Sequence, residues 1–245
     1  HSYVKEKLSD IEKEEYDKIL MKTEDAEYGR ALRNLTKYLH TYYQKEVVLL
    51  IDEYDNPLIV ANTFNYYKEA INFFRDFFST ALKTNPYLKT AVLTGIVQVA
   101  KEGIFSGLNN VITYNILKDK FETFFGLSEE EVEVALKYFE MDYQIEEVKK
   151  WYDGYKFGEK EIYNPWSILN YLSDGKLQAY WVNTSDNALI YENLSVANMD
   201  VFNCLEKLFE GKEIKKEISP FFTFEELKRY NGIWQLMVYN GYLKL

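Results

Sequence analysis

The sequence predicts an α/β fold that becomes mostly α toward its C-terminus, and three observations carry that expectation. Two short apolar runs, around 46–51 and 88–96, flank one long stretch of helical periodicity, the order of a βαβ unit. Four prolines and 11 glycines in 245 residues leave little room for irregular structure. After Gly126 the strand-like runs give way to capped, helix-periodic segments.

Residues 5–44 read as two helices, the first highly charged and superficial, the second with Leu32, Leu35, Leu39 and Tyr42 at helical spacing. Val47-Val48-Leu49-Leu50-Ile51 reads as a strand covered on both faces, as in a parallel sheet flanked by helices. Asn56-Pro57 marks a turn. Residues 65–84 form a helix with a core stripe of Ala70, Ile71, Phe74, Phe78, Ala81 and Leu82. A second buried strand, 88–96, ends in Thr94-Gly95. In parallel sheets ligands sit beyond the carboxyl ends of strands, and Asp52, Glu53 and Thr94 fall at that edge.

From 126 to 195 the pattern is that of a small helical subdomain. Ser128 with Glu131 makes a capping box, a short helix covers 144–151, and Asn164-Pro165 opens another. Between them lies an aromatic and glycine cluster, Trp151 to Gly158. Segment 196–245 carries a helix at 199–210, a strand at 213–218 and a second capping box at Thr223 and Glu226, an order that is winged-helix-like.

The net charge of −10 argues against broad, non-specific nucleic-acid binding and leaves room for a local basic patch. A single cysteine, Cys204, excludes an internal disulfide and a multi-cysteine zinc site; its apolar-periodic setting makes it a small buried hydrophobe. The only histidines are His1 and His40. No apolar run reaches ~18 residues, so no membrane helix is expected. No signal peptide is visible, and a cytoplasmic protein without membrane partners is expected.

An apolar strand ending in Asp52-Glu53 is the pattern of a Walker B strand. Such a site needs an acid for the water shell of Mg²⁺ and a second to orient or deprotonate water. The same residues also describe a strand that simply ends in solvated acids, and the local pattern does not choose between the two. The complementary phosphate cradle, GxxxxGK[ST], does not occur: Gly175-Lys176-Leu177 and Gly211-Lys212-Glu213 are the only Gly-Lys pairs, and neither fits.

The string Leu50-Ile51-Asp52-Glu53-Tyr54-Asp55-Asn56-Pro57 resembles the AAA-ATPase-like family of bacterial and archaeal proteins, which commonly carry a PD-(D/E)XK-type nuclease domain. The resemblance continues through Leu93-Thr94-Gly95, Ala100 to Asn110, Trp151-Tyr152-Asp153-Gly154-Tyr155, Tyr163-Asn164-Pro165-Trp166-Ser167 and Tyr180 to Ser185. It implies a partial P-loop NTPase core of AAA/STAND type over 1–125, with a Walker B strand at 46–52 and a sensor strand at 88–95. A helical lid over 126–195 and a winged-helix-like segment over 196–245 complete it. Asp52 would be the magnesium-associated acid, Glu53 the catalytic acid and Thr94 the polar sensor, with Asp55 and Gln98 beside the nucleotide. Implied cofactors are Mg²⁺ and ATP. Implied partners are ATP, nucleic acid through the attached nuclease or the winged-helix segment, and a second copy in a homo-oligomer. The first residue is His, not Met, so the expectation is a fragment whose phosphate loop precedes His1, and which alone is inactive.

Departures from the family pattern stand at Gln98, where arginine is frequent, and at Gly103, where serine is frequent. Gln98 cannot supply a phosphate-sensing charge. Arg75 reads as a structural ion-pair partner before a trans-acting finger. The polar stretch Lys101 to Asn110 reads as a loop held by side-chain hydrogen bonds before a nucleotide contact, and the Trp151 to Phe157 cluster as packing before base stacking. Two functions compete: an ATPase switch controlling an effector such as a nuclease, and a non-catalytic protein- or DNA-binding scaffold with a degenerate nucleotide site.

Overall fold

The computed structural model describes residues 2–96, 104–105, 108, 110–141, 144–181, 188–219, 226 and 232–245. They form two compact units, one running to Ile112 and the other from Thr113.

The first unit opens with α1 (Ser2–Lys5), α2 (Asp10–Leu20), a 3-10 turn (Tyr28–Arg30) and α3 (Ala31–Tyr43). The chain restarts at α2 because Ser9 and Glu12 form a capping box: Glu12 N–H donates to Ser9 Oγ at 3.4 Å, and Ser9 N–H donates to the Glu12 carboxylate at 2.8 Å. That S-x-x-E signal opens α2, which with α3 makes the two helices expected within 5–44. Val4, Leu8 and Tyr38 form a small core here.

β1 (Val47–Ile51), α4 (Asn56–Thr63), α5 (Tyr67–Leu82) and β2 (Leu88–Leu93) follow. β1 and β2 are parallel, with Leu49 opposite Ala91 and Ile51 opposite Leu93. This is the βαβ unit that the spacing predicts. Asn56-Pro57, expected as a turn, instead begins α4, where proline's missing N–H costs nothing in the first turn. α5 buries Ala70, Ile71, Phe78, Ala81 and Leu82, against the fully buried Leu58 and Ala61 of α4.

β1 corrects one expectation. Val47, Leu49 and Ile51 are half-buried, while Leu50 is 73% exposed and its register partner Val92 is 50% exposed. The strand is covered on one face, not two, among the described residues. An unbroken apolar run carries no period-2 signal, so it does not reveal how many faces are covered.

The second unit holds β3 (Leu127–Ser128), α6 (Glu129–Tyr138), α7 (Ile145–Tyr152), β4 (Asp153–Phe157), β5 (Lys160–Tyr163), α8 (Pro165–Asp174), α9 (Ala188–Ser195), α10 (Met199–Phe209) and α11 (Gly232–Tyr239). The expected caps are present. Ser128 and Glu131 form their box, and Asn164 Oδ1 accepts the Ser167 N–H at 3.1 Å. The stretch expected as a helical subdomain holds α6, α7, α8 and α9, and also strands that the sequence reading did not include. β3, β5 and β4 make an antiparallel sheet, and the aromatic cluster is half of a hairpin that turns at Gly158, whose φ of 55° suits glycine. Strands this short alternate too few times to announce themselves. Tyr152, Tyr163 and Tyr171 join Val132, Leu136, Val148, Ile168 and Leu172 in one core, so Tyr152 of that cluster serves packing.

A second core gathers Val201, Ile233 and Trp234, with Cys204 partly buried against it. The strand expected at 213–218 is absent. Residues 212–219 have no regular structure, and Ile214 and Ile218 reach the core from that irregular segment. Apolar alternation there reflects anchoring and not sheet pairing, which removes the strand from the winged-helix expectation. Thr223, of the second capping box, lies outside the described residues. Among the described residues no helix is long and apolar enough to cross a membrane.

Candidate functional site

Parallel pairing puts the carboxyl ends of β1 and β2 on one edge, with Asp52 leaving the first strand and Thr94 the second. Backbone bonding continues past the strands: Thr94 N–H donates to Ile51 O and Tyr54 N–H donates to Thr94 O, both at 2.9 Å. The Thr94 hydroxyl then joins the two exits. It donates to Asp52 Oδ1 and accepts the Glu53 N–H, the latter at 3.2 Å. Both functions of one hydroxyl are used, so its rotamer is set and it orients the Asp52 carboxylate. Asp52 and Glu53 are exposed and Thr94 is half-buried.

Glu53 has φ 50°, a left-handed conformation that costs an L residue about 1–2 kcal/mol. It turns the chain out of the strand, leaving the Glu53 side chain in solvent while the next two residues go inside. Tyr54 packs edge-on against Phe78, ring centroids 6.4 Å apart. Asp55 is 2% exposed. It occupies the position that caps α4, yet its side chain makes no cap bond; Oδ2 instead accepts the Ile96 N–H at 2.9 Å. Gly95 permits this closeness, since a Cβ there would lie 2.6 Å from Asp55 Oδ1 and 2.9 Å from Tyr54 Cε1. Asp55 therefore acts as a buckle between the exits of β1 and β2.

Of the residues singled out in the sequence, Asp52, Glu53 and Thr94 come together on an open edge. Asp55 shares their loop but is buried beneath it. Gln98 lies outside the described residues, as does most of the polar stretch 101–110, of which Asn110 Nδ2 donates to Leu82 O at 3.4 Å. Gly95 and Ile96 were missed as positioning groups. The Thr-Gly step signalled a turn, and nothing local signalled that a carboxylate some forty residues earlier in the chain would lie against it.

A divalent cation suits this edge in one particular way. Among the described residues no group of three or more His, Cys, Asp or Glu side chains is placed to hold a metal unaided. Mg²⁺ paired with a nucleotide needs no such cage: it keeps most of its waters and takes one or two carboxylates plus substrate phosphates. A single exposed, hydroxyl-oriented aspartate fits that donor set.

An uncharacterized protein encoded in the vnfD 5′ region of Azotobacter chroococcum mcd 1 is 25% identical over 171 residues, which is 69% of this chain and 32% of that relative. The chain thus spans about a third of the relative's length. No solved structure matches significantly. Residues 1–105, the stretch with β1, its crossover helices and β2, match the family model described as Predicted AAA-ATPase, so this part of the chain is similar to that family.

Proposed function

We propose that the Asp52–Glu53–Thr94 edge is the magnesium- and water-handling part of an ATP site. In the intact protein its nucleotide state would regulate an attached effector such as a nuclease. The observation that supports this reading best is the shared Thr94 hydroxyl, which ties an exposed carboxylate on one strand to the adjacent parallel strand.

In this reading the free oxygen of Asp52 holds the water shell of Mg²⁺, which supplies charge neutralisation to the phosphates when bound. Glu53, exposed at the turn, orients and deprotonates the attacking water. Thr94 senses the phosphate state because any shift of its hydroxyl alters both Asp52 and the Glu53 backbone. Asp55 takes a positioning role, holding the loop so that the three groups keep their spacing. The chain's 245 residues contain no GxxxxGK[ST] cradle, so weak or no ATP binding is expected from them alone.

The test is magnesium-dependent ATP hydrolysis by a protein in which a phosphate-loop segment precedes these residues. Glu53→Gln should lower turnover about 10²–10⁴-fold, the usual worth of a general base. Unchanged turnover would remove Glu53 from the mechanism. A protein that neither binds nor turns over ATP would favour the scaffold reading instead. A salt titration of DNA binding would then separate a nucleic-acid scaffold, which shows a steep salt slope, from a protein-binding one.

A further inference from the structure

Within the second unit, the last residues of the chain fold back over the β4–β5 hairpin. Lys244 Nζ stands 3.1 Å from both carboxylate oxygens of Asp153, at the start of β4, and also pairs with Glu161 of β5. One ammonium serves two carboxylates, so the group keeps an uncompensated negative charge when both acids are ionised.

Packing seats this strap as well as charge. Gly241 has φ 74° and lies so close to the Tyr155 ring that a Cβ there would overlap it. Leu243 packs against the core of Val201, Ile233 and Trp234. The Tyr242 and Leu243 N–H groups donate to Met237 O at 2.7 and 3.1 Å. A tail anchored in these ways presents Lys244 to the hairpin, and the ionic group then adjusts its grip.

The two acids are not equivalent. The Asp153 side chain is 23% exposed and that of Glu161 is 38% exposed, so ionisation costs Asp153 more. Burial, with help from Glu161, holds the Asp153 carboxyl above its ordinary range in spite of Lys244. Burial pushes Glu161 the same way, but Lys244 and Asp153 outweigh it and bring Glu161 below its own range. Other groups surround the pair. On β4, Lys156 acts on Glu161 and pairs with Glu159 at 3.8 Å. On β5, Tyr163 lies opposite Asp153 in register, and burial raises its phenol. On α6, Glu129 pairs with Lys149 at 2.5 Å, and Glu133 acts on Tyr163. Beneath the strap, burial also raises the Tyr155 phenol, on which Tyr242 acts.

We propose that residues 240–245 are a proton-responsive strap: one proton on the Asp153–Glu161 pair tightens it on the hairpin, and a second releases it. The first proton resides chiefly on the more buried Asp153. It removes the repulsion between the carboxylates and lets Asp153 donate to Glu161, which keeps its ion pair with Lys244. An acid raised in the fold stabilises below its unfolded pKa and loses that contribution as pH rises through the folded value. A lowered acid loses its contribution as pH falls through its own folded value. Grip is therefore greatest below the raised pKa of Asp153 and above the lowered pKa of Glu161.

Amide hydrogen exchange at Tyr242 and Leu243 in residues 1–245, followed by NMR and corrected for intrinsic rates, reads the opening of the strap. Protection should rise as pH is lowered from neutrality to about 4.5, the ordinary glutamate value. At neutral pH Asp153→Asn, which imitates the protonated acid, should raise protection severalfold and abolish that rise. Glu161→Gln and Lys244→Met should each lower it severalfold, with circular dichroism showing that each variant is folded. Two ordinary ion pairs would instead give losses for both acid variants. The proposal is overturned by wild-type protection that stays level or falls over that interval. It is also overturned if Asp153→Asn exchanges as fast as wild type or faster, or if Lys244→Met keeps the pH response.

Discussion

The Thr94 side chain donates its hydroxyl hydrogen to the Asp52 carboxylate and accepts the Glu53 N–H, so one small residue on β2 sets both acids at the end of β1. Thr94→Val keeps the β-branched shape and removes both bonds. The site is open to water, so the lost bonds are partly replaced, and a destabilisation of about 1 kcal/mol is expected. A urea unfolding midpoint checks this. A loss above about 3 kcal/mol would mean that Thr94 is chiefly a packing residue.

Asp55 and Gly95 should behave as a coupled pair. Asp55→Ala takes a charged acceptor from Ile96 N–H and leaves a void under the loop, with an expected cost of about 1–3 kcal/mol. Gly95→Ala forces a methyl against Asp55 and the Tyr54 ring, with an expected cost of about 1–3 kcal/mol from overpacking. In the double variant the second penalty should shrink, because the carboxylate that the methyl meets is gone. Thermal denaturation of the four proteins gives the coupling, and strict additivity would deny the close contact.

Glu12 gives the first unit an acid-sensitive contact. Lys37 Nζ approaches its carboxylate at 2.7 Å, and the Ser9 N–H adds a second donor. Chiefly through Lys37, its pKa falls from 4.5 to about 2. A carboxylate whose folded pKa is depressed stabilises the fold above its unfolded pKa and loses that contribution as pH falls through the folded value. Stability should therefore decline between roughly pH 4.5 and pH 2. Part of this decline should vanish in Glu12→Gln, although solvent screening makes it smaller than the full shift implies. Identical acid-unfolding profiles for the two proteins would assign the acid sensitivity elsewhere.

In the second unit Asn164 caps α8 immediately after β5, so one residue joins hairpin to helix. Asn164→Ala should cost about 1 kcal/mol, the usual value of an N-cap, while Asn164→Asp should be near neutral. Midpoints of chemical denaturation distinguish these. Equal losses from both substitutions would show that the amide nitrogen, not the capping oxygen, matters.

Some of this molecule is legible in local sequence because the causes are local. The apolar run of β1, the stripe of α5, the Ser128–Glu131 box and Asn164-Pro165 each act within a few residues, and each element formed where its pattern stands. The same locality explains the misses. The hairpin β4–β5 depends on pairing across a turn, and the irregular course of 212–219 depends on a core assembled from α10 and α11.

At the candidate site, the sequence by itself determined that two acids end an apolar strand and that a threonine ends another. Only the tertiary structure decided that they share a hydroxyl and that Asp55 turns inward to hold Ile96. Residue type sets what a side chain can donate or accept. Which partner it meets is a matter of long-range chain packing, and no local pattern encodes it.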